Sequence, residues 1–223
     1  MYIPEDYMQV SPGVWEKKNK VSSFDVYNKE HDVDSFVKIL NSDKIHYNRL
    51  LDLVNVRMPE LSKIYNDVIS IGGGIPKFET VIMNVDKVTI IDIAANWYKK
   101  QLKKFRDIYE LDEKPIIEFY KEYIEKPKKI FPFDCICFIH VLEHMPSWKL
   151  VKDWIRLQDK DIVIYGPNIE SARDTNWHHF GDNAIDHNVF FTIEAIEKYA
   201  KSCNYQVQSM AYSDDMLVWL RKK

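Results

Sequence analysis

The string His140-Val141-Leu142-Glu143-His144 puts two imidazoles and a carboxylate within five residues, directly after the apolar run at 133–139. Imidazole titrates near neutrality, so such a string suits proton transfer at physiological pH. A second concentration lies at 170–191, where His178, His179, Asp182, Asp186 and His187 share a stretch with Trp177, Phe180 and Phe190. Their spacing matches no compact ligand pattern, so the stretch reads as an exposed polar loop and no metal site is expected. Its aromatic residues suit either stacking on a ring-shaped substrate or anchoring the loop. The third place is Gly72-Gly73-Gly74, three of the chain's six glycines. Clustered glycine implies a backbone that turns tightly or lets a ligand approach closely. Amides at such a turn can meet a ligand. Asp92, twenty residues past Gly72, can accept both hydroxyls of a ribose. Together they imply a site for an adenosine-bearing cofactor. The plainer alternative is a tight turn, with Asp92 capping the next helix.

These groups need a scaffold. From residue 67 apolar runs alternate with amphipathic ones, which predicts strands at 67–71, 87–93, 115–120, 133–139 and 161–166. Helices are expected at 76–85, 96–109, 147–158 and 192–203, with Ser147 opening the third and Thr192 with Glu194 giving the last a capping-box start. Alternation at 205–213 and 216–222 predicts a closing hairpin. Near-continuous apolar strands separated by helices indicate a parallel sheet covered on both faces. The fold class is therefore α/β: a Rossmann-like, doubly wound, mostly parallel seven-stranded sheet with an antiparallel C-terminal hairpin. Upstream, residues 1–35 read as an extended arm, and helices are expected at 33–41 and 43–57, with Ile45, Leu50, Leu51, Leu53 and Val54 as the apolar face. Residues 1–60 thus form an N-terminal arm and helical cap, and 61–223 the sheet domain. Ligands of such sheets bind at the carboxyl ends of the strands. There the sequence places Gly72 to Gly74, Asp92, Glu122, the 140–144 string and Gly166-Pro167-Asn168.

Composition narrows the partners. With 46% apolar and 29% charged residues and a net charge of −3, the chain is an ordinary globular one without a basic field for nucleic acid. The lysine run at 98–104 reads as a solvated face. No apolar run reaches membrane-spanning length, and the start lacks a signal-peptide pattern. Three cysteines make no disulfide framework, which suits the reducing cytoplasm.

The strings VISIGGGIP (68–76), VTIIDI (88–93) and FDCICFIHVLEHMPSW (133–148) resemble the class I S-adenosylmethionine-dependent methyltransferases, in particular their small-molecule and glycan branch (methyltransferase type 11/12-like). VIYGPNIES (163–171) and DHNVFFTIEAIEKYAKSCNYQV (186–207) are similar to the same branch, and the resemblance covers roughly 65–221. It implies S-adenosyl-L-methionine as cofactor. Gly72, Gly73 and Gly74 would line the methionine moiety, Asp92 hold the ribose, Ile93 cover an adenine face and Glu122 or a neighbour meet the adenine edge. His140 would line the same pocket. Ser70 stands where the family has an acid, able to hydrogen-bond but not to neutralise the methionine ammonium. The resemblance also makes 170–191 a substrate-covering loop. His144 is then the general base, with Glu143 orienting it or the substrate, and His187 is a second base candidate. The implied activity is O-methylation of a small hydroxylated acceptor such as a sugar or glycan. The residues also leave open a non-catalytic binding or scaffolding protein that retains the fold, and an N- or C-methyltransferase acting on a small molecule. The Asp/Asn-Pro-Pro-aromatic run of base-methylating enzymes is missing where IHVLEH stands, against a nucleic-acid acceptor.

Overall fold

The computed structural model describes residues 1–22, 32–112, 114–122, 133–174, 176–180 and 186–223. Asp182 lies outside these. The described residues form two compact units, one from 32–122 with 133–137 and the other from 1–22 with 138–223.

In the first unit, strands β3 (Asp67–Ile71), β4 (Lys87–Asp92) and β5 (Ile116–Lys121) and the start of β6 (Cys135–Ile139) pair in parallel. β-branched residues favour the pleated, buried surface, and Val68, Ile69, Ile71, Val88 and Ile90 are all buried. Helix α1 (Val33–Arg57) is one continuous helix where two were expected. Asp32 caps it, accepting from the Ser35 amide at 2.8 Å. Asn41 does not interrupt it, because its side-chain amide donates to the Val37 carbonyl one turn back. The buried stripe is Leu40, Tyr47, Leu50 and Val54. Ile45 is 59% exposed, not on the apolar face as expected. Two residues from Tyr47 it is turned by about 200° at the helical period. Helix α2 (Lys77–Val81) is a single short turn and α3 (Ala95–Tyr109) a longer helix. Leu40, Ile75, Phe105 and Tyr109 form a shared apolar cluster.

The second unit holds β7 (Asp161–Pro167), β9 (Tyr205–Tyr212) and β10 (Asp215–Lys222), with β10 antiparallel to both neighbours. The seven-stranded sheet runs in the order β5-β4-β3-β6-β7-β10-β9, so the expected mostly parallel sheet with an antiparallel closing hairpin is present. Helices α4 (Trp148–Leu157) and α5 (Ile193–Ser202) are capped by Ser147 and Thr192 as expected. The capping box is not completed. The Thr192 amide donates instead to the Gly13 carbonyl at 2.8 Å.

That bond belongs to a second sheet which the sequence reading did not anticipate. β1 (Tyr7–Ser11) and β2 (Val14–Lys17) form a hairpin, and β2 pairs antiparallel with β8 (Val189–Phe191). Gly13 turns the hairpin at φ +73°, and a Cβ there would come within 2.5 Å of the Thr192 hydroxyl oxygen. Over this sheet Trp177, Phe180 and Phe190 pack with Tyr7 and Trp15 in one buried cluster. These aromatic residues anchor the loop. Among the described residues no helix is long and apolar enough to cross a membrane.

Candidate functional site

The glycine run follows the carboxyl end of β3, and Asp92 ends β4, its parallel neighbour. Gly72 and Gly74 take φ +66° and +62°, a region that glycine enters at less cost than residues bearing a Cβ. Asp92 reaches across: Oδ2 accepts from the Gly74 amide at 3.1 Å and Oδ1 from the Ala94 amide at 2.6 Å. The carboxylate therefore sets the turn as well as the strand end. Above Gly74 lies Tyr98, whose ring would be only 3.0 Å from a Cβ at that glycine. Burial, with the Asp92 charge, raises the Tyr98 phenol above its usual range.

Behind Gly73 sits an acid the sequence reading missed. A Cβ on Gly73 would lie 2.2 Å from the Ser70 hydroxyl oxygen and 3.7 Å from Glu79 Oε1. Glu79, on α2, is 1% exposed, and its Oε1 has no hydrogen-bond partner among the described residues. Burial pushes its carboxyl up to about 7, against the opposing pull of the Ser70 hydroxyl, its own amide and Lys77. Ser70 is not an acid, but its side chain has one beside it. Ile93 is half-buried just past β4. Glu122 is exposed past β5, its amide donating to the Asp92 carbonyl at 3.3 Å.

The other unit gathers the histidines. His140 follows β6 directly, at φ +53°, unusual for a residue with a side chain. Its amide donates to the Tyr165 carbonyl at 2.7 Å, and its ring meets the Tyr165 ring edge-on. Held so, Nδ1 lies 3.4 Å from Glu143 Oε1 and Nε2 3.7 Å from Asp215 Oδ2. Glu143 and His144 lie on the 3-10 turn Leu142–His144. Glu143 is 2% exposed. Gly166 makes room for it, since a Cβ there would stand 3.3 Å from Oε2. His144 Nδ1 is 2.9 Å from Asp186 Oδ2, and its Nε2 is 3.9 Å from Glu143 Oε1. His187 approaches from the loop, its ring centre 4.7 Å from that of His144. Its Nδ1 lies 3.2 Å from the His179 carbonyl, and its own carbonyl accepts from the Tyr7 hydroxyl at 2.5 Å. Asn188 fastens the group: its amide donates to the Glu143 carbonyl at 2.7 Å and its side chain to the His144 carbonyl at 3.2 Å.

Charge is balanced closely here. Burial would raise Glu143, but the His140 hydrogen bond and the positive potential of His144, His140 and His187 bring it down to about 2. Burial would lower His144, yet Asp186 and Glu143 raise it above its usual value. His187 is pushed down to about 3, chiefly by burial, so it stays neutral. Asp215 falls to about 2 because His179 and His140 outweigh its burial. His140, Glu143, His144 and His187, all singled out in the sequence, thus come together. Asp215 and His179 join them, linked at 3.5 Å. His178 points away, exposed and 3.5 Å from Asp214.

A doubly wound sheet with a glycine turn after one strand and an acid ending the next is the arrangement of a nucleotide-cofactor fold, and the family match narrows it to the class I methyltransferases. The chain belongs to the methyltransferase domain family, whose model matches residues 44–210, or 167 of the 223. No curated protein matches it in sequence. Its structure is similar to the mitomycin 7-O-methyltransferase MmcR, with TM-score 0.53 and 13% identity over 91% of this chain and 63% of that one. An O-methyltransferase family 2 protein from Planctomyces limnophilus DSM 3776, in complex with apigenin, gives TM-score 0.56 and 10% identity over 87% of this chain and 63% of that one. An S-adenosylmethionine-dependent methyltransferase from Clostridium acetobutylicum ATCC 824 gives 0.54 and 11%, over 85% and 98%. The chain spans less than two thirds of the first two of these proteins. At such identities the likeness is one of fold.

Proposed function

We propose that the protein is an S-adenosylmethionine-dependent methyltransferase acting on a hydroxyl of a small acceptor such as a sugar or glycan. The observation that carries the reading is the glycine turn joined to Asp92 through the Gly74 amide, in a chain of this family. The residues present fit the cofactor. Gly72 to Gly74 leave a turn without side chains, Asp92 offers a carboxylate for ribose hydroxyls, and Ile93 an apolar surface for adenine. Ser70 and Glu79 supply the ammonium partner, with Glu79 providing the charge Ser70 lacks and its orphaned oxygen the acceptor. Glu122 is assigned to the adenine edge, and His140 to the lining of the pocket. When bound, S-adenosylmethionine supplies a methyl group on a positively charged sulfur, which the acceptor oxygen takes as the carbon–sulfur bond breaks. What remains for the chain is to hold the oxygen in line and remove its proton, work worth about 10²–10⁴-fold in rate. Glu143, His144 and His187 carry it in this reading.

Residues 1–22 serve the acceptor side, since Tyr7 bonds the His187 carbonyl. Cys135 and Cys137, buried and unpaired, support a cytoplasmic setting. Calorimetric titration with S-adenosylmethionine, S-adenosylhomocysteine and NAD tests the reading. Saturable binding of the first two and none of NAD is expected; binding of NAD alone would overturn it. Turnover of a panel of hydroxylated acceptors then names the substrate.

A further inference from the structure

We infer that Glu143, His144 and His187 form a binding site for a divalent transition-metal ion. One ligand atom from each residue lies within 4.8 Å of the other two. Around a tetrahedral ion with bonds of about 2.1 Å the donors stand ~3.4 Å apart, so side-chain adjustments of about an ångström close the site. The second ring nitrogens favour this use. His144 Nδ1 stands 2.9 Å from Asp186 Oδ2, an ion-pair contact, and His187 Nδ1 3.2 Å from the His179 carbonyl oxygen. Metal-binding histidines are oriented in this way, the far nitrogen held by a carboxylate or carbonyl and the other turned to the ion. Buried Glu143 Oε1 is held only loosely: the nearest imidazole nitrogen, His140 Nδ1, stands at a long 3.4 Å, so the oxygen can take a shorter bond to an ion. Two imidazoles and one carboxylate suit zinc, manganese, iron or cobalt, and leave a coordination position open. The backbone is fixed too, by Asn188 on the Glu143 and His144 carbonyls and Tyr7 on that of His187.

The site is independent of the cofactor, but its use rests on the proposed function. An acceptor hydroxyl at the open position is acidified, so its proton leaves to water and the oxygen is left nucleophilic.

The test is titration of the full chain, freed of metal by chelation, with ZnCl2 and separately MnCl2, followed by calorimetry, and with CoCl2 followed by visible absorption. One ion per chain is expected. Glu143→Gln and His187→Ala should each weaken binding at least tenfold, and Asp186→Asn by about 10–100-fold through His144. His178→Ala, in the same loop but turned outward, should bind like the parent. The absence of one-to-one binding by any of the three ions overturns the inference, as does unchanged affinity in Glu143→Gln and His187→Ala. Thermal melting identifies a variant that fails to fold, and His144→Gln then takes its place. S-adenosylhomocysteine titration of the same samples separates the two readings. Loss of its binding with the ion retained removes the proposed function and leaves the site; the reverse removes only the site.

Discussion

A carboxyl group buried at 1% exposure with an unpartnered oxygen is costly to keep charged, and Glu79 responds by holding its proton to about pH 7. Its ordinary value is 4.5, so between these limits the folded chain binds a proton that the unfolded chain has released. Stability from this group is therefore complete below about pH 4.5 and is lost as pH rises through 7, on the order of 3 kcal/mol in all. Denaturant unfolding of the ligand-free protein should show that fall, and Glu79→Gln should flatten it. If Glu79 faces the methionine ammonium, S-adenosylhomocysteine should bind more tightly as pH rises from 6 to 8, and the Gln variant should show no such trend. Asp92→Ala should weaken the same ligand by about 1.5–3 kcal/mol, a lost charge-assisted hydrogen bond; equal calorimetric affinity in a folded variant would remove Asp92 from the site. His144→Ala and His187→Ala should each lower turnover by roughly 10²–10⁴ while leaving cofactor affinity in place. Should both keep the rate, the acceptor is an already nucleophilic amine, thiol or carbanion.

Elements were legible in the sequence where burial writes a strong pattern. β3, β4, β6 and β7 are apolar runs, and their ends fell within two residues of expectation. Thr192 and Ser147 marked helix starts because a hydroxyl before an amphipathic run has a definite local use. What escaped depends on distant partners. β1, β2 and β8 span 5, 4 and 3 residues, and Pro12-Gly13 was the one local sign of their turn. Glu79 looked like any helical acid, because only the fold brings it to Ser70. Tyr98 and Asp215 were equally silent, each meeting its site through a residue far along the chain. Helix α1 shows a pattern misread at one position, and the correction can be checked. Leu50→Ala should cost about 2–5 kcal/mol in denaturant unfolding, whereas Ile45→Ala, on the exposed side, should stay within about 0.5 kcal/mol. Comparable losses at the two positions would contradict the buried stripe described.

At the scale of the whole molecule, a ligand that binds only the folded chain raises its melting temperature. S-adenosylhomocysteine at a hundred times its dissociation constant adds about 2.7 kcal/mol, which for a chain of this size is a shift of about 5–10 °C. Differential scanning should show it with this ligand and not with NAD. The net charge of −3 gives no reason for nucleic acid to produce a similar shift. Asn188 has a consequence on slower timescales. Its side chain accepts from the Val21 amide at 2.9 Å and donates to the Val21 carbonyl at 2.8 Å, and its own carbonyl takes the Lys17 amide at 2.8 Å. With the bonds it sends to Glu143 and His144, one residue fastens both the N-terminal arm and the histidine turn. Such a knot opens as a unit. The amide deuterons of Lys17, Val21 and Asn188 should therefore exchange with a common protection, and Asn188→Ala should speed the first two together, making the arm's exchange rate a reporter on the histidine cluster.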